Sequence, residues 1–139
     1  MTRKSACLSM LLLCVLAVFG CRTSPQASDY PPGCVEDKSS PVVIAVFDDA
    51  SADPECVIVK KGNANILWRA DPAVVRTVKI KFDRVTNPNA PDDPLCAGAE
   101  CILEKAKHAQ KQGTFAYFVW VENQDGSTAG TDPVLIIKP

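Results

Sequence analysis

Short runs of β-branched and aromatic residues, each stopped by a cluster of turn formers, fill this chain from Pro41 onward and leave it few ways to fold. Val42-Val43-Ile44-Ala45-Val46-Phe47 stops at Asp48-Asp49-Ala50-Ser51, and Cys56-Val57-Ile58-Val59 stops at Lys60-Lys61-Gly62-Asn63. Asn65 to Arg69 is a third run, and its short interval from the second fits a hairpin. Thr77 to Val85 alternates cleanly, with Val78, Ile80 and Phe82 on one face and Lys79, Lys81 and Asp83 on the other, which is the pattern of a strand with one wet face. Thr114 to Glu122 is the longest run, with Phe115, Tyr117, Val119 and Val121 on one face and Phe118 and Trp120 on the other. Val134 to Ile137 closes the chain as a continuous apolar run. Between these strands Pro88, Pro91 and Pro94 mark a loop, and one helix is expected after it. Asp93-Pro94 would supply its cap and first position, Glu100 and Glu104 sit early, Lys105, Lys107 and Lys111 sit late, and Gly113 stands where a left-handed C-terminal cap is wanted. Several short strands with one helix late in the chain predict an all-β, two-sheet sandwich.

The first residues differ in character. Arg3 and Lys4 precede Leu8 to Phe19, an apolar run interrupted only by Ser9. It is too short for the ~20 helical residues that span a bilayer, and it suits a cleaved export signal. With Val18-Phe19-Gly20-Cys21 at its end, the segment resembles a bacterial lipoprotein signal; Val18 and Gly20 match that pattern, and Phe19 is bulkier than the residue usually found there. The resemblance implies removal of residues 1–20, lipidation of Cys21 and a stable membrane anchor made of several acyl chains, palmitate among them. Ordinary secretory cleavage nearby is the alternative. Arg22 is not the Asp that retains some such lipoproteins at the inner membrane, so the resemblance favours the periplasmic face of the outer membrane. Ser24-Pro25-Gln26-Ala27-Ser28 and Pro31-Pro32-Gly33 punctuate a flexible linker at 21–40, ahead of a domain at 41–139.

A cut before Cys21 changes the chemistry of what is left. The 15 basic residues lose Arg3 and Lys4, leaving 13 against 16 acidic ones, a net charge of about −3. No basic patch remains to recommend nucleic acid as a partner. Met1, Met10, Cys7 and Cys14 leave with the signal, so the exported chain has one His, no Met and four cysteines besides Cys21. Export favours their oxidation. The expected disulfides are Cys96–Cys101 and Cys34–Cys56, the second stapling the end of the linker to the domain. On a continuous helix turning ~100° per residue, Cys96 and Cys101 would diverge by ~140°, so their bridge requires a break at Gly98 before the helix begins. The other two pairings of four cysteines stay open. So does a soft-metal or redox site in which reduced Cys96 and Cys101 join His108, seven residues along one helical face from Cys101. Taken alone, His108 reads as an exposed helix residue among lysines.

The order of the elements from 42 to 138 resembles the cupredoxin-like fold, a Greek-key β-sandwich. The matching pieces are Asp53-Pro54-Glu55-Cys56-Val57-Ile58-Val59-Lys60-Lys61-Gly62, Ile66-Leu67-Trp68, Thr77-Val78-Lys79-Ile80, Gly113-Thr114-Phe115-Ala116-Tyr117-Phe118 and Val134 to Ile137. Copper-binding members hold their metal between two His, a Cys and a weak axial ligand, commonly Met. Carried onto this sequence, the first His falls at about Arg76, the Cys on Val119 and the second His near Glu122, while the loop from Gln124 to Gly130 has no Met. The resemblance therefore implies the fold without the copper site, and Trp68 as a core residue.

Other chemistries find little support. Asp48, Asp49, Asp53 and Glu55 crowd one turn and Asp92 and Asp93 another, but no calcium-loop spacing is present, and turn and cap roles account for them. No nucleophile motif accompanies the single His, so neither an enzyme nor a cofactor is expected. Phe118 and Trp120, pointing away from the core face, form either an exposed contact surface or a patch covered by the helix or the stapled linker. The sequence thus predicts a membrane-anchored, non-catalytic structural or protein-interaction module of the envelope. The alternatives are a metal or redox carrier using Cys96 and Cys101, and a small-ligand binder on the Phe118/Trp120 face.

Overall fold

Residues 30–139 are those that the computed structural model describes, and turn formers divide them into eleven strands and one turn of helix. In chain order these are β1 (Val35–Glu36), β2 (Val42–Val46), β3 (Ala52–Asp53), β4 (Cys56–Lys60), β5 (Ile66–Ala70), β6 (Val75–Phe82), β7 (Leu95–Ala97), β8 (Glu100–Leu103), α1 (Lys105–His108), β9 (Gly113–Asn123), β10 (Thr128–Thr131) and β11 (Val134–Lys138). They build two sheets. One runs β3-β2-β5-β8-β7, and the other runs β1-β4-β11-β9, with β10 and β6 also paired to β9. The all-β, two-sheet sandwich expected from the pattern is the observed class. The signal segment, Cys21 and the first part of the linker lie outside the described residues.

Two expectations give way to tertiary pairing. The second and third runs do not form a hairpin: β4 pairs with β1 and β11 in one sheet, and β5 pairs with β2 and β8 in the other. The intervening Lys61–Asn65 segment crosses from sheet to sheet. Gly62 makes the crossing possible, with φ of +64° and a position where a Cβ would stand 3.2 Å from that of Ala109. The second correction concerns the helix. Cys96 and Cys101 belong to a hairpin of β7 and β8, as registered partners joined by a disulfide across the ladder, and Gly98 turns the chain at φ +55°. Helix survives only at Lys105–His108. Asp93 is no helix cap; its carboxylate accepts the Phe82 N–H at 2.9 Å. That bond and Val78 N–H donating to the Gly98 carbonyl (2.8 Å) occupy two donors on the edge of β6 that faces away from β9.

The linker end is stapled as expected, by a Cys34–Cys56 disulfide, and Val35–Glu36 adds to β4 as a parallel strand within the stretch assigned to the linker. Removing the Cys96–Cys101 bridge by paired Cys→Ala substitution should lower stability by about 2 kcal/mol, a modest figure because the ring it closes is short. Denaturant titration of the double variant checks this. No measurable loss would mean that the pairing of β8 with β5 alone holds the hairpin.

Alternation puts the core between the sheets. Trp68 of β5, fully buried, meets Phe82 and Tyr117 of the opposite sheet edge-on, with ring centroids 6.5 and 5.4 Å away. Val78, Ile80, Phe115, Val119, Val121, Leu135 and Ile137 complete that sheet's inner face, and Ile44, Ile66 and Leu103 the facing one. Residues 31–139 form one compact unit carrying this core and both disulfides.

Candidate functional site

The alternation of β9 is strict: Phe115, Tyr117, Val119 and Val121 are buried, and Thr114, Ala116, Phe118, Trp120 and Glu122 lie on the outer face. Pairing with β6 sets Lys79 beside Trp120 and Lys81 beside Phe118. The Lys79 ammonium stands over the Trp120 ring, 4.8 Å from its centroid, a cation–π contact that leaves the ring half-buried. Phe118 is 43% exposed. The tip of its ring reaches Gly130 of β10, where a Cβ would come within 2.6 Å of it, so a side chain there would have to displace the ring.

Among the described residues neither α1 nor the stapled linker covers this pair. Instead α1 packs on the Lys61–Asn65 crossing, and β1 extends its sheet edgewise beside β4. A groove of about 480 Å³ opens beside Phe118, lined by Lys81, Asp83, Ala116 and Asp132. Asp132 also borders a second groove of about 330 Å³, where Pro31–Cys34 meets Cys56, Pro133 and Val134. The face is thus aromatic in its middle, cationic along β6 and acidic at Asp83 and Asp132. Such a mixture suits a polar, amphipathic partner.

The candidate cluster of Cys96, Cys101 and His108 is not assembled. The two sulfurs are bonded to each other, and His108, expected on the surface, has no exposure at all. Its Nδ1 accepts the Gly62 N–H at 3.1 Å, which leaves the proton on Nε2 to be donated to the Ala64 carbonyl at 2.8 Å. Both ring nitrogens are therefore spent on the crossing between the sheets. Among the described residues no three His, Cys, Asp or Glu side chains gather as a metal-ligating group.

The acidic turns have local work. Ser51 N–H bonds the Asp49 carboxylate at 2.8 Å, and hydrogen bonds from the Ser51 side chain and backbone hold that carboxyl below its usual range. Asp92 pairs with Arg84 at 3.3 Å.

The end of the sandwich to which the resemblance carries copper ligands is closed by polar contacts. Arg76 and Glu122 form an ion pair at 3.0 Å, and Arg76 also donates to the Gln124 carbonyl at 3.2 Å. Gln124 in turn donates to the Pro72 carbonyl, and Asn123 to that of Asp48, both at 2.9 Å. Val119 is fully buried.

Sequence reasoning found the aromatic pair but missed the lysines beside it and the glycine at the tip of the Phe118 ring. Lys79 and Lys81 stood out as one face of an alternating strand, but only the β6–β9 register puts them next to Trp120 and Phe118. No protein-family model matches the chain, and neither a curated protein nor a solved structure matches it.

Proposed function

We propose that this is a lipid-anchored envelope protein, tethered through Cys21, whose sandwich is a non-catalytic interaction module that meets a protein partner through the Phe118/Trp120 face. The observation that carries this reading is the exposed Phe118 ring against Gly130, with Trp120, Lys79 and Lys81 beside it. Adjoining aromatic side chains on an outer sheet face, rimmed by the lysines of the neighbouring strand, are the kind of patch that marks a contact surface. The groove beside Phe118 keeps a small-ligand variant of the same reading alive. A carrier role for Cys96 and Cys101 has no such support, since the two are joined to each other and His108 is engaged elsewhere.

The sandwich is read as cupredoxin-like because the quoted segments fall in β4, β5, β6, β9 and β11 in the order of the resemblance. Copper binding is not part of the proposal, since an ion pair between Arg76 and Glu122 and a core valine stand at the ligand positions.

The test places a photo-crosslinking amino acid at Phe118, at Trp120 and, as a control on α1 outside both sheet faces, at the exposed Lys107, in cells expressing the full chain. A discrete cross-linked product is expected at the first two positions and not at the third, and Lys81→Glu should weaken it. Equal labelling at all three positions would sink the proposal. Intact-mass measurement of the membrane form under non-reducing conditions reads the anchor separately, because it reports cleavage, acylation and both disulfides together.

A further inference from the structure

The outer face of the β3-β2-β5-β8-β7 sheet carries a pattern that the proposed function does not use. Strand register aligns Val43, Leu67, Ile102 and Leu95 in one row across β2, β5, β8 and β7. Val43 is 42% and Leu95 71% exposed, and Leu67 and Ile102 are half-buried. The next row on the same face reads Ala45, Arg69, Glu100, Ala97, with Asp53 of the edge strand β3 beside Ala45. Arg69 and Glu100 touch at 2.6 Å, with their side chains 54% and 49% exposed. An exposed sheet face that can meet water normally alternates to polar, and four aliphatic side chains abreast depart from that rule.

About the line between β5 and β8 the aliphatic row reads the same from either end, and the four-strand part of the second row is complementary, with Arg69 facing Glu100 and alanine on each side. A two-fold axis along that line, midway between two stacked copies of the sheet, sets Leu67 on Ile102 of the second copy and Val43 on its Leu95. The same rotation brings Arg69 onto Glu100 of the second copy and Glu100 onto its Arg69, so the two central charges meet with opposite sign, while Asp53 on the edge strand β3 lies beyond the paired strands. Ala45 and Ala97 come together at the flanks, where small side chains let the sheets approach to the ~10 Å spacing of face-to-face packing, with strands within about 30°. A residue order that matches itself under rotation is what an isologous dimer requires, and an unrelated partner would not impose it.

We propose that this face is a homodimer interface, whose occupant is a second copy of the chain related by a two-fold axis parallel to β5 and β8. The aliphatic row supplies the apolar centre, and the reciprocal Arg69–Glu100 contacts set the register. The Phe118/Trp120 face lies on the other sheet and stays free in the dimer.

Sedimentation equilibrium on residues 31–139, the compact unit with its own core, tests the proposal. The mass should rise with concentration towards twice that of one chain. Arg69→Glu alone sets like charges against each other at both reciprocal contacts, as does Glu100→Arg alone. Each should raise Kd by at least about tenfold, with the circular dichroism spectrum unchanged because both side chains are solvent-facing. Mixed in equal amounts, the two variants meet with opposite charges at both contacts, and the mixed dimer should return to within about threefold of the native affinity. Neither variant regains its internal ion pair in the mixture, so recovery reports contacts between copies. Leu95→Asp should leave only monomer. A native mass that stays monomeric, a dimer indifferent to either charge reversal, or a mixture that does not recover would overturn the proposal.

Discussion

His108→Leu should destabilise the sandwich by about 3 kcal/mol, although it exchanges a polar residue in a buried site for an apolar one of similar size. The imidazole has no exposure and holds together what the chain crossing would otherwise leave apart. It accepts from the Gly62 N–H and donates to the Ala64 carbonyl, on either side of the turn where the chain leaves β4 for the other sheet. Leucine can answer neither group. A buried donor or acceptor left without a partner costs about 1–3 kcal/mol, and two are stranded here, one of them only partly shielded from water. The added apolar burial offsets part of this loss. Denaturant titration gives the energy, and amide exchange gives the mechanism: the Gly62 N–H should be protected in the native chain and exchange quickly in the variant. A variant within experimental error of the native stability, with Gly62 still protected, would mean that the backbone holds the crossing without the ring.

Alkaline pH should weaken the fold through Tyr117. Its phenol is packed among Trp68 and Phe82, and burial pushes its pKa up to about 12, against a smaller lowering by the Trp68 indole N–H. The two groups are near enough to interact, but neither the phenol oxygen nor the indole nitrogen has a partner at hydrogen-bonding geometry. Burial therefore carries the shift. Below the unfolded value near 10 both states keep the proton and the stability is fully present. As pH rises through 10 the unfolded chain ionises first, and stability is lost until the folded phenol ionises near 12. The total loss over that window is roughly 3 kcal/mol. Tyr117→Phe removes no hydrogen bond, so it should be close to neutral at pH 7, and its stability should fall less steeply with pH than that of the native chain. Unfolding free energies of the two proteins across the window, with tyrosinate absorbance alongside, decide the matter. Parallel curves would show that the phenol ionises as readily folded as unfolded.

Much of the fold was legible because period-2 alternation is a local signal. The faces of β6 and β9 follow directly from Val78-Lys79-Ile80-Lys81-Phe82 and from Phe115 to Val121, and register then carried Trp68, Phe82 and Tyr117 into one core. The segment from Leu95 to Leu103 misled because leucine, alanine and glutamate favour a helix locally. Pairing with β5 at Trp68 and Leu67 outweighs that preference, and Gly98 between Cys96 and Cys101 was the local clue to the hairpin. His108 was illegible for a different reason. A single turn of helix has no periodicity to show which side is inward, and both partners of its ring lie more than forty residues back in the chain. The Val43–Leu67–Ile102–Leu95 row takes one residue from each of four strands, so no window of sequence contains it.

What the amino-acid sequence determined by itself was the class of the fold and the inward and outward faces of its long strands. Each depends on neighbours in the chain. What only the tertiary structure decided was which strands share a sheet, that the chain crosses between sheets at Gly62 with His108 as its lock, and which side chains stand together on each outer face. Those outcomes depend on register between strands distant in sequence, where backbone hydrogen bonds and burial at long range outweigh local preference.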